Sequence, residues 1–590
     1  MSDPTNPNDP TAPGNGDGSG SAGAGGSGDS QGKDNTTPPT TDWTRSRASR
    51  SGRTPRPTKA NKPVEDLGAR SGLKPVEPYY ANFPEQDLPP AESDQPLLRP
   101  RKERIRSVAL VGVRVVAGTV GVAVAAAVVA AVVLVPIPSL TGTAPSAEIT
   151  PATASQELVC PGSLLRLSDE SGQGASTASA VGSASVVATA EPGGVIGSLF
   201  AASDAGNGGT ESAPLLLSTP TVNVDVDTAA PLISGAQGQA AESADGAGLA
   251  AATCAVATGD SWLVGGSTAT GRTTLLTLSN PSKVAASVNL EVFGETGAID
   301  SPGLTGITVE AGSQRVLSLA GFAPQTSSPV VHVTSSGGLV VANLQQTTTR
   351  GIDAGGVEIV GASASPSTTN VMTGVVIVGG ADVSARLGEA GFEDLQTALR
   401  VYIPGTETVA ARVEVIPEDG STTGTEFAID VQGGVAADLP IDSLPDGSYT
   451  VRVETDVPAV AAVRTATLGG VDGSGRTDFS WTASAPLLEE TALVSTPGQL
   501  STLLHLVNPD SSAADITVTT IAVDGTAGEA VQVPIAAGAV TALPIEPGRS
   551  YRLTGFDSLY AAVSVTSVSG LASFTVDPPA VSSSDIVVYP

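Results

Sequence analysis

The sequence predicts a mainly β protein: tandem immunoglobulin-like antiparallel β-sandwiches after a single transmembrane helix and a disordered N-terminal tail. An uncharged run over residues 115–135 divides the chain, and a strand pattern recurs three times beyond Arg272. The stretch before the run holds too little apolar matter to build a core.

Residues 1–42 are Gly, Ser, Asp, Asn, Pro and Thr, which cannot bury enough surface to offset the entropy of ordering. A basic patch follows: Arg45, Arg47, Arg50, Arg53, Arg56, Lys59 and Lys62 among Ser, Thr and Pro. It suits either the anionic inner leaflet of a membrane or a solvated linker. Residues 63–98 are rich in Pro and acid, and the expected cytoplasmic tail spans 1–107.

The helix is expected over 108–135. At about 1.5 Å per residue the apolar run 115–135 spans roughly 30 Å, the depth of a bilayer's hydrocarbon core. Arg99, Arg101, Lys102, Arg104, Arg106 and Arg114 precede it, and no basic residue follows until Arg166. Such a flank keeps the N-terminus inside and sends the remainder out. Two other readings exist. A signal peptide lies nearer the N-terminus and has a shorter apolar region, and Ala144 and Ser146 only weakly imitate a cleavage site. A buried core helix would show a polar face, which this run lacks.

Charge divides at the same place. Up to Arg114 there are 16 Lys/Arg against 14 Asp/Glu, and from Val115 onward 13 against 45, so the two pieces carry about +2 and −32, which sum to the net −30. That acidity disfavours nucleic acid and other polyanions. Cys160 and Cys254 are the two cysteines, and an even number in an oxidising compartment reads as one disulfide. Free buried thiols are the alternative. A catalytic Cys is disfavoured, because neither has a His nearby in sequence.

A Ser/Thr/Pro/Ala stalk is expected over 136–155. The stretch between the cysteines has little hydrophobic periodicity and one strand pattern, 221–226. The repeat then begins. Leu275-Leu276-Thr277-Leu278 leads to Asn280-Pro281 and Val288-Asn289-Leu290-Glu291-Val292. Leu399-Arg400-Val401-Tyr402-Ile403 leads to Pro404-Gly405 and Arg412-Val413-Glu414-Val415. Leu503-Leu504-His505-Leu506 leads to Asn508-Pro509 and Ile516-Thr517-Val518. Further alternating runs close each copy, at 307–309, 315–319, 330–333 and 340–342, then 427–431, 449–453 and 460–462, then 531–533, 540–545, 551–553 and 561–563.

Period-two alternation broken by Gly, Pro, Asn and Asp marks half-buried antiparallel strands, and about seven per copy matches an immunoglobulin-like sandwich. A β-propeller is the competing reading, but its blades run about 40–50 residues, less than half this spacing. The domains expected are a first sandwich with a disulfide-closed insert over 156–370, a second over 371–480 and a third over 481–590.

Motifs that carry chemistry are sparse. The run from Gly266 to Thr273 nearly spells a phosphate-binding loop, but Arg272 replaces the essential Lys, and a Gly-rich hairpin turn is the simpler reading. Gly18, Gly20 and Gly23 have dinucleotide spacing inside a tail without strand or helix. His332 and His505 read as exposed strand residues, and without a third ligand no zinc site is expected. Acidic residues Glu418, Asp419, Asp442 and Asp446 lack the dense Asp/Asn spacing of a Ca²⁺ loop. No nucleophile elbow is present for a Ser-His-Asp enzyme. Trp262 and Trp481 read as core plugs, with glycan stacking the alternative.

Cys160-Pro161-Gly162, the run Gly248-Leu249-Ala250-Ala251-Ala252-Thr253-Cys254, Ser261-Trp262-Leu263-Val264-Gly265-Gly266 and Leu278-Ser279-Asn280-Pro281 together resemble an actinobacterial family. It comprises membrane-anchored secreted proteins with the domain of unknown function 5719, and the resemblance covers about residues 156–590. It implies export, a β-rich ectodomain and no catalytic residue to carry over. The function expected is a non-catalytic cell-envelope surface protein, its ectodomain a scaffold or interaction module. Its expected partners are the membrane, through one span, and envelope proteins or cell-wall glycan, with no nucleic acid and no cofactor. An accessory envelope hydrolase or transferase, or a transmembrane sensor, is the alternative.

Overall fold

Strands alternating Val, Ile, Leu or Thr with polar residues place one side in an apolar layer, and Ala286–Gly294 shows this, with buried and exposed positions alternating along it. The computed structural model describes residues 156–579 apart from 168–177, 192, 194, 200–212, 220–230, 244–245, 422–423, 442–443, 469–475 and 499–500, together with the strands Ala147–Ile149 and Ile586–Val588. The expected tail, the membrane helix, most of the stalk and the strand at 221–226 lie outside the described residues. Among the described residues no helix is long and apolar enough to cross a membrane.

In the first unit, Asp260–Val264, Val330–Gly337 and Ala286–Gly294 form one sheet, extended on its free side by the short strands Gly297–Ile299 and Ile307–Val309. The facing sheet runs Ser313–Ser318, Arg272–Asn280, Val341–Arg350, Asp353–Val360. The second unit repeats this plan. Ser367–Ile377, residues 447–455, Thr408–Pro417 and Thr425–Gln432 oppose Ala436–Pro440, Ala398–Tyr402, residues 459–468 and Thr477–Ala483. One long strand, Gly447–Leu468, serves both of its sheets. In the third, Thr491–Ser495, Ser550–Thr554, Ala514–Ile521 and Ala527–Ile535 oppose Val540–Ile545, Ser501–Val507, Tyr560–Ser567 and Gly570–Thr575.

Numbered within a unit, the order is 1-6-3-4 in one sheet and 5-2-7-8 in the other, antiparallel throughout. This departs from the immunoglobulin arrangement, in which the last strand lies beside F in the C-F-G sheet. Here strand 1 takes that place, and strand 7 crosses to pair with strand 2. Strand 8 follows as an additional edge. Ser367–Ile377 runs through residue 370 and Thr477–Ala483 through residue 480, so the units part between strands, at 361–366 and 484–490, a few residues from the positions expected.

The Asn-Pro pairs of the repeat have one physical role. Asn280 donates to the carbonyls of Val284 (2.8 Å) and Val309 (3.0 Å) and accepts from Ser282 N–H. Asn508 likewise donates to Ser512 O (2.8 Å) and accepts from Asp510 N–H (3.0 Å). Each amide closes the turn after strand 2. Tyr449 and Tyr551, at the start of strand 6, donate back to Pro445 O (2.8 Å) and Glu546 O (3.1 Å) in the manner of a tyrosine corner.

The stretch between the cysteines is richer in strands than its sequence pattern announces. Ser185–Glu191, Leu232–Ser243 and Gly246–Thr253 form one sheet, and Glu157–Cys160, Leu215–Ser218 and Ile196–Leu199 another. Gln237 and Gln345 each pair both amide atoms with one backbone residue, Gly162 and Leu165 respectively, standing in for a neighbouring strand. Cys160 and Cys254 are joined by a disulfide across a separation of 94 residues and are buried. Residues 136–590 form one unit. Leu276 and Val331 of the first sandwich share a core cluster with Tyr402, Val460 and Trp481 of the second. Leu249 and Ala251 share one with Leu504 and Val563 of the third.

Closing a loop of that length removes much of the unfolded chain's freedom. Replacing both cysteines with Ser is expected to cost about 2–5 kcal/mol, read as a lowered midpoint of thermal unfolding. Peptide mapping without reductant should recover Cys160 and Cys254 in one linked fragment, and two alkylatable thiols would contradict the bridge.

Candidate functional site

The titratable groups with chemical potential lie in the seams between sheets. Four edge strands from four sheets come together: Gly246–Thr253, Asp353–Val360, Thr477–Ala483 and Gly570–Thr575. Asp478 sits among them, fully enclosed. Its Oδ2 accepts from Leu249 N–H (3.0 Å) and Leu571 N–H (3.1 Å), and its Oδ1 from Val357 N–H (3.2 Å). Gly248 and Gly570 have φ of +150° and +148°, and a Cβ at either would fall 2.3 Å and 1.7 Å from the Asp478 oxygens, so only glycine serves there. Glu358, next in sequence to the Val357 that donates to Asp478, is also fully buried and accepts from Ile359 N–H (3.0 Å).

At the seam between the second and third sandwiches, three side chains align as nucleophile, base and carboxylate. His505 Nε2 is 2.7 Å from Ser564 Oγ, and His505 Nδ1 is 2.5 Å from Glu418 Oε2. Glu418 Oε1 accepts from Thr450 Oγ1 (2.8 Å), Thr373 Oγ1 (2.9 Å) and Gly374 N–H (3.2 Å). Burial pushes Glu418 up, but the His505 ring and these donors outweigh it and hold the carboxyl below its ordinary value. The order matches a Ser-His-acid triad. However, all three side chains are buried, and Gly374 presses on the ring so closely that a Cβ would lie 2.9 Å from it. Two donors aimed at a developing oxyanion and a place for substrate are what such a line needs to act. Here Thr450, Thr373 and Gly374 N–H point at Glu418, and the Ser573 hydroxyl at Gly374 O.

Arg400 joins the first sandwich to the second. All five of its N–H donors are used. Nε and Nη2 hold Asp438 (2.7 and 2.9 Å), Nη1 reaches Gly266 O (2.9 Å) and Pro329 O (3.0 Å), and Nη2 also reaches Ser327 O (3.1 Å). Its guanidinium lies 4.4 Å from the Trp481 ring centre, and Trp481 Nε1 donates to Gln346 (2.8 Å). Nearby, Arg272 and Arg350 of the first sandwich both grip Asp394 at 2.8 Å. Against the upward push of burial, Arg350 and Arg272 keep Asp394 below its usual range. Asp394 lies on an insertion of the second unit that carries the helix Gly380–Arg386.

Both histidines depart from the exposed strand positions expected of them. His505 is fully buried, because the face it occupies is covered by another sandwich instead of water. His332 is 15% exposed, stacked on Trp262 with ring centres 4.1 Å apart, and held at 2.8 Å by both Glu291 and Asp260. Trp262 and Trp481 are both buried. Tyr402 packs against Phe293 beside Trp262, and burial, with the charge of Glu291, pushes its hydroxyl up to about 12.

The loop from Gly266 to Thr273 is not a hairpin turn. It crosses between the two sheets of the first sandwich, and Arg400 occupies a carbonyl within it. Asp419 accepts from Ser421 N–H, and Asp446 accepts from Gly379 and Gly380 N–H. Asp442 and the glycines of the tail lie outside the described residues. Among the described residues no group of three or more His, Cys, Asp or Glu could hold a metal ion. Asp478, Glu358 and Arg400 escape sequence reasoning. The one signal is a charge set between Ala, Val, Ile, Leu, Thr or Phe neighbours within a strand.

Truncating one partner of a buried pair leaves the other uncompensated. His505→Ala is expected to destabilise by about 3–5 kcal/mol, and Ser564→Ala by about 1 kcal/mol, in chemical denaturation. Glu418 and Asp394 are depressed, so the stability they contribute is present above the ordinary carboxylate range and is lost as pH falls through their folded values. Glu418→Gln should therefore flatten the acid limb of a stability–pH curve while lowering its plateau.

No curated protein matches the chain. Among solved structures, Bacteroides uniformis beta-glucuronidase 2 bound to cyclophellitol-6-carboxylate aziridine aligns at 10% identity and a TM-score of 0.09, covering 44% of this chain and 27% of that one. A calcium-binding mutant of the same enzyme aligns at 9% identity and a TM-score of 0.10, covering 52% and 33%. The chain thus spans a third or less of those enzymes, and superposition this poor carries no argument. The model of a family of unknown function, DUF5719, matches residues 202–546. That match takes in about half of the insert, the first two sandwiches and much of the third, and by it this chain belongs to the family DUF5719.

Proposed function

We propose that this protein is a single-pass, membrane-anchored envelope protein of actinobacterial type, whose tandem sandwiches form a non-catalytic scaffold or interaction module facing outward. One observation carries the reading. The groups able to do chemistry are committed to buried hydrogen bonds: Asp478, Glu418, His505 and Arg400 across the seams between sandwiches, and Ser564 to His505 within the third. A catalytic group must instead reach a substrate. The apolar run at 115–135 with its basic flank, and the acid-rich remainder, support the address. Envelope proteins or cell-wall glycan are the proposed partners, and the acid excess argues against polyanions.

A reporter fused to the C-terminus should be active outside the cytosol, and cytosolic activity alone would remove the address. The full chain in detergent should be retained on purified cell-wall material or by an envelope protein. A fluorophosphonate probe should leave Ser564 unlabelled in the folded chain. Labelling abolished by His505→Ala would instead make it a hydrolase.

A further inference from the structure

Glu358 and Asp478 are two acids enclosed in the same place. Neither forms an ion pair among the described residues. Gly246–Thr253 and Gly570–Thr575 bring no titratable side chain to them. On Asp353–Val360 the other acid, Asp353, is exposed at the hairpin end. Arg350, whose guanidinium lies beside Gly355, is committed to Asp394 and to Thr477 Oγ1 (2.8 Å). Gly248, Gly356 and Gly570 crowd the Asp478 oxygens, to which a Cβ on each would come within 2.3, 2.6 and 1.7 Å.

We propose that Glu358 and Asp478 hold one proton between them, and that the four edge strands stay closed only while it is held. Two carboxylates enclosed without a cation cannot both be charged at tolerable cost. Their surroundings differ. Asp478 receives backbone N–H groups on both oxygens, which suits an ionised carboxylate. Glu358 accepts one N–H, from Ile359, and its Oε2 has no hydrogen-bond partner among the described residues, so a charge there is less compensated than on Asp478 and the proton resides on Glu358. Burial, then the charge of Asp478, pushes Glu358 well above the ordinary range. Burial also raises Asp478, against the pull of its N–H donors.

The sign follows from linkage. A folded carboxyl that titrates above its unfolded value loses stability as pH rises from the unfolded value, about 4.3 for Glu, toward the folded one. The full chain should therefore melt lower at about pH 9 than at about pH 5, by about 3 °C or more. Glu358→Gln, a neutral group of the same shape, should remove most of that fall. Asp478→Asn should melt lower at every pH, because its NH2 meets N–H groups already pointing inward. Infrared spectra give a readout independent of folding energy: a protonated carboxyl band should persist at neutral pH in the wild type and vanish in Glu358→Gln. Asp577, whose carboxyl burial pushes up to about 6, titrates earlier, and Asp577→Asn removes its share. Should Glu358→Gln fail to fold, the wild-type band after Asp577→Asn still decides. Absence of that band at neutral pH, or its persistence in Glu358→Gln, would overturn the proposal.

Discussion

The edge of a β-sheet cannot be buried with its backbone groups unpaired, and this molecule buries four such edges against one another. Asp478 makes that possible. Its two oxygens take N–H groups from three strands of three different sheets, a pattern that no strand-to-strand ladder could supply at such a crossing. Much else follows from that junction. The strands reaching it must be thin, hence Gly248, Gly356 and Gly570 at the carboxylate and alanines along 250–252. The stretch closed by the disulfide contributes one of the four strands and so belongs to the core of the assembly.

Polar and charged seams hold the sandwiches together because their outer faces are also inner faces. An alternating strand ordinarily gives its polar side to water. In this protein Arg400 and His505 stand on that polar side, and a second sandwich covers each. Arg400 sends three donors across its seam and two to Asp438 of its own sandwich, and His505 is satisfied by a carboxylate and a hydroxyl. Such groups, desolvated and fully partnered, favour one relative placement of the sandwiches, since any other leaves a buried charge alone. The same saturation separates the Ser564–His505–Glu418 line from an active site. Its geometry is that of a relay, but its donors stabilise the resting carboxylate.

Much of the fold was legible in the sequence. The strands at 275–278, 288–292 and 503–506 reappear within the observed ones, and that at 399–403 does so up to Tyr402, because Val and Leu alternate with polar residues there and Asn-Pro or Pro-Gly ends the run. The insert was illegible for the opposite reason. Leu232–Ser243 and Gly246–Thr253 are Ala, Gly and Gln, residues chosen for close approach, and they leave no period-two signature. The eighth strand of each unit was missed on similar grounds, since Asp353–Val360 and Thr477–Ala483 carry their charge where alternation promises an apolar or neutral residue.

What the chain determined by itself is local: which segments extend, where they turn, that three copies follow one plan, and that two cysteines are available to one another. Propensity and periodicity act over a few residues and are written into each segment. Which faces meet was decided only by the tertiary structure. Burial of His505, the enclosure of Asp478 beside Glu358 and the reach of Arg400 into a neighbouring sandwich depend on residues tens to hundreds of positions away. No local pattern encodes how such distant surfaces fit.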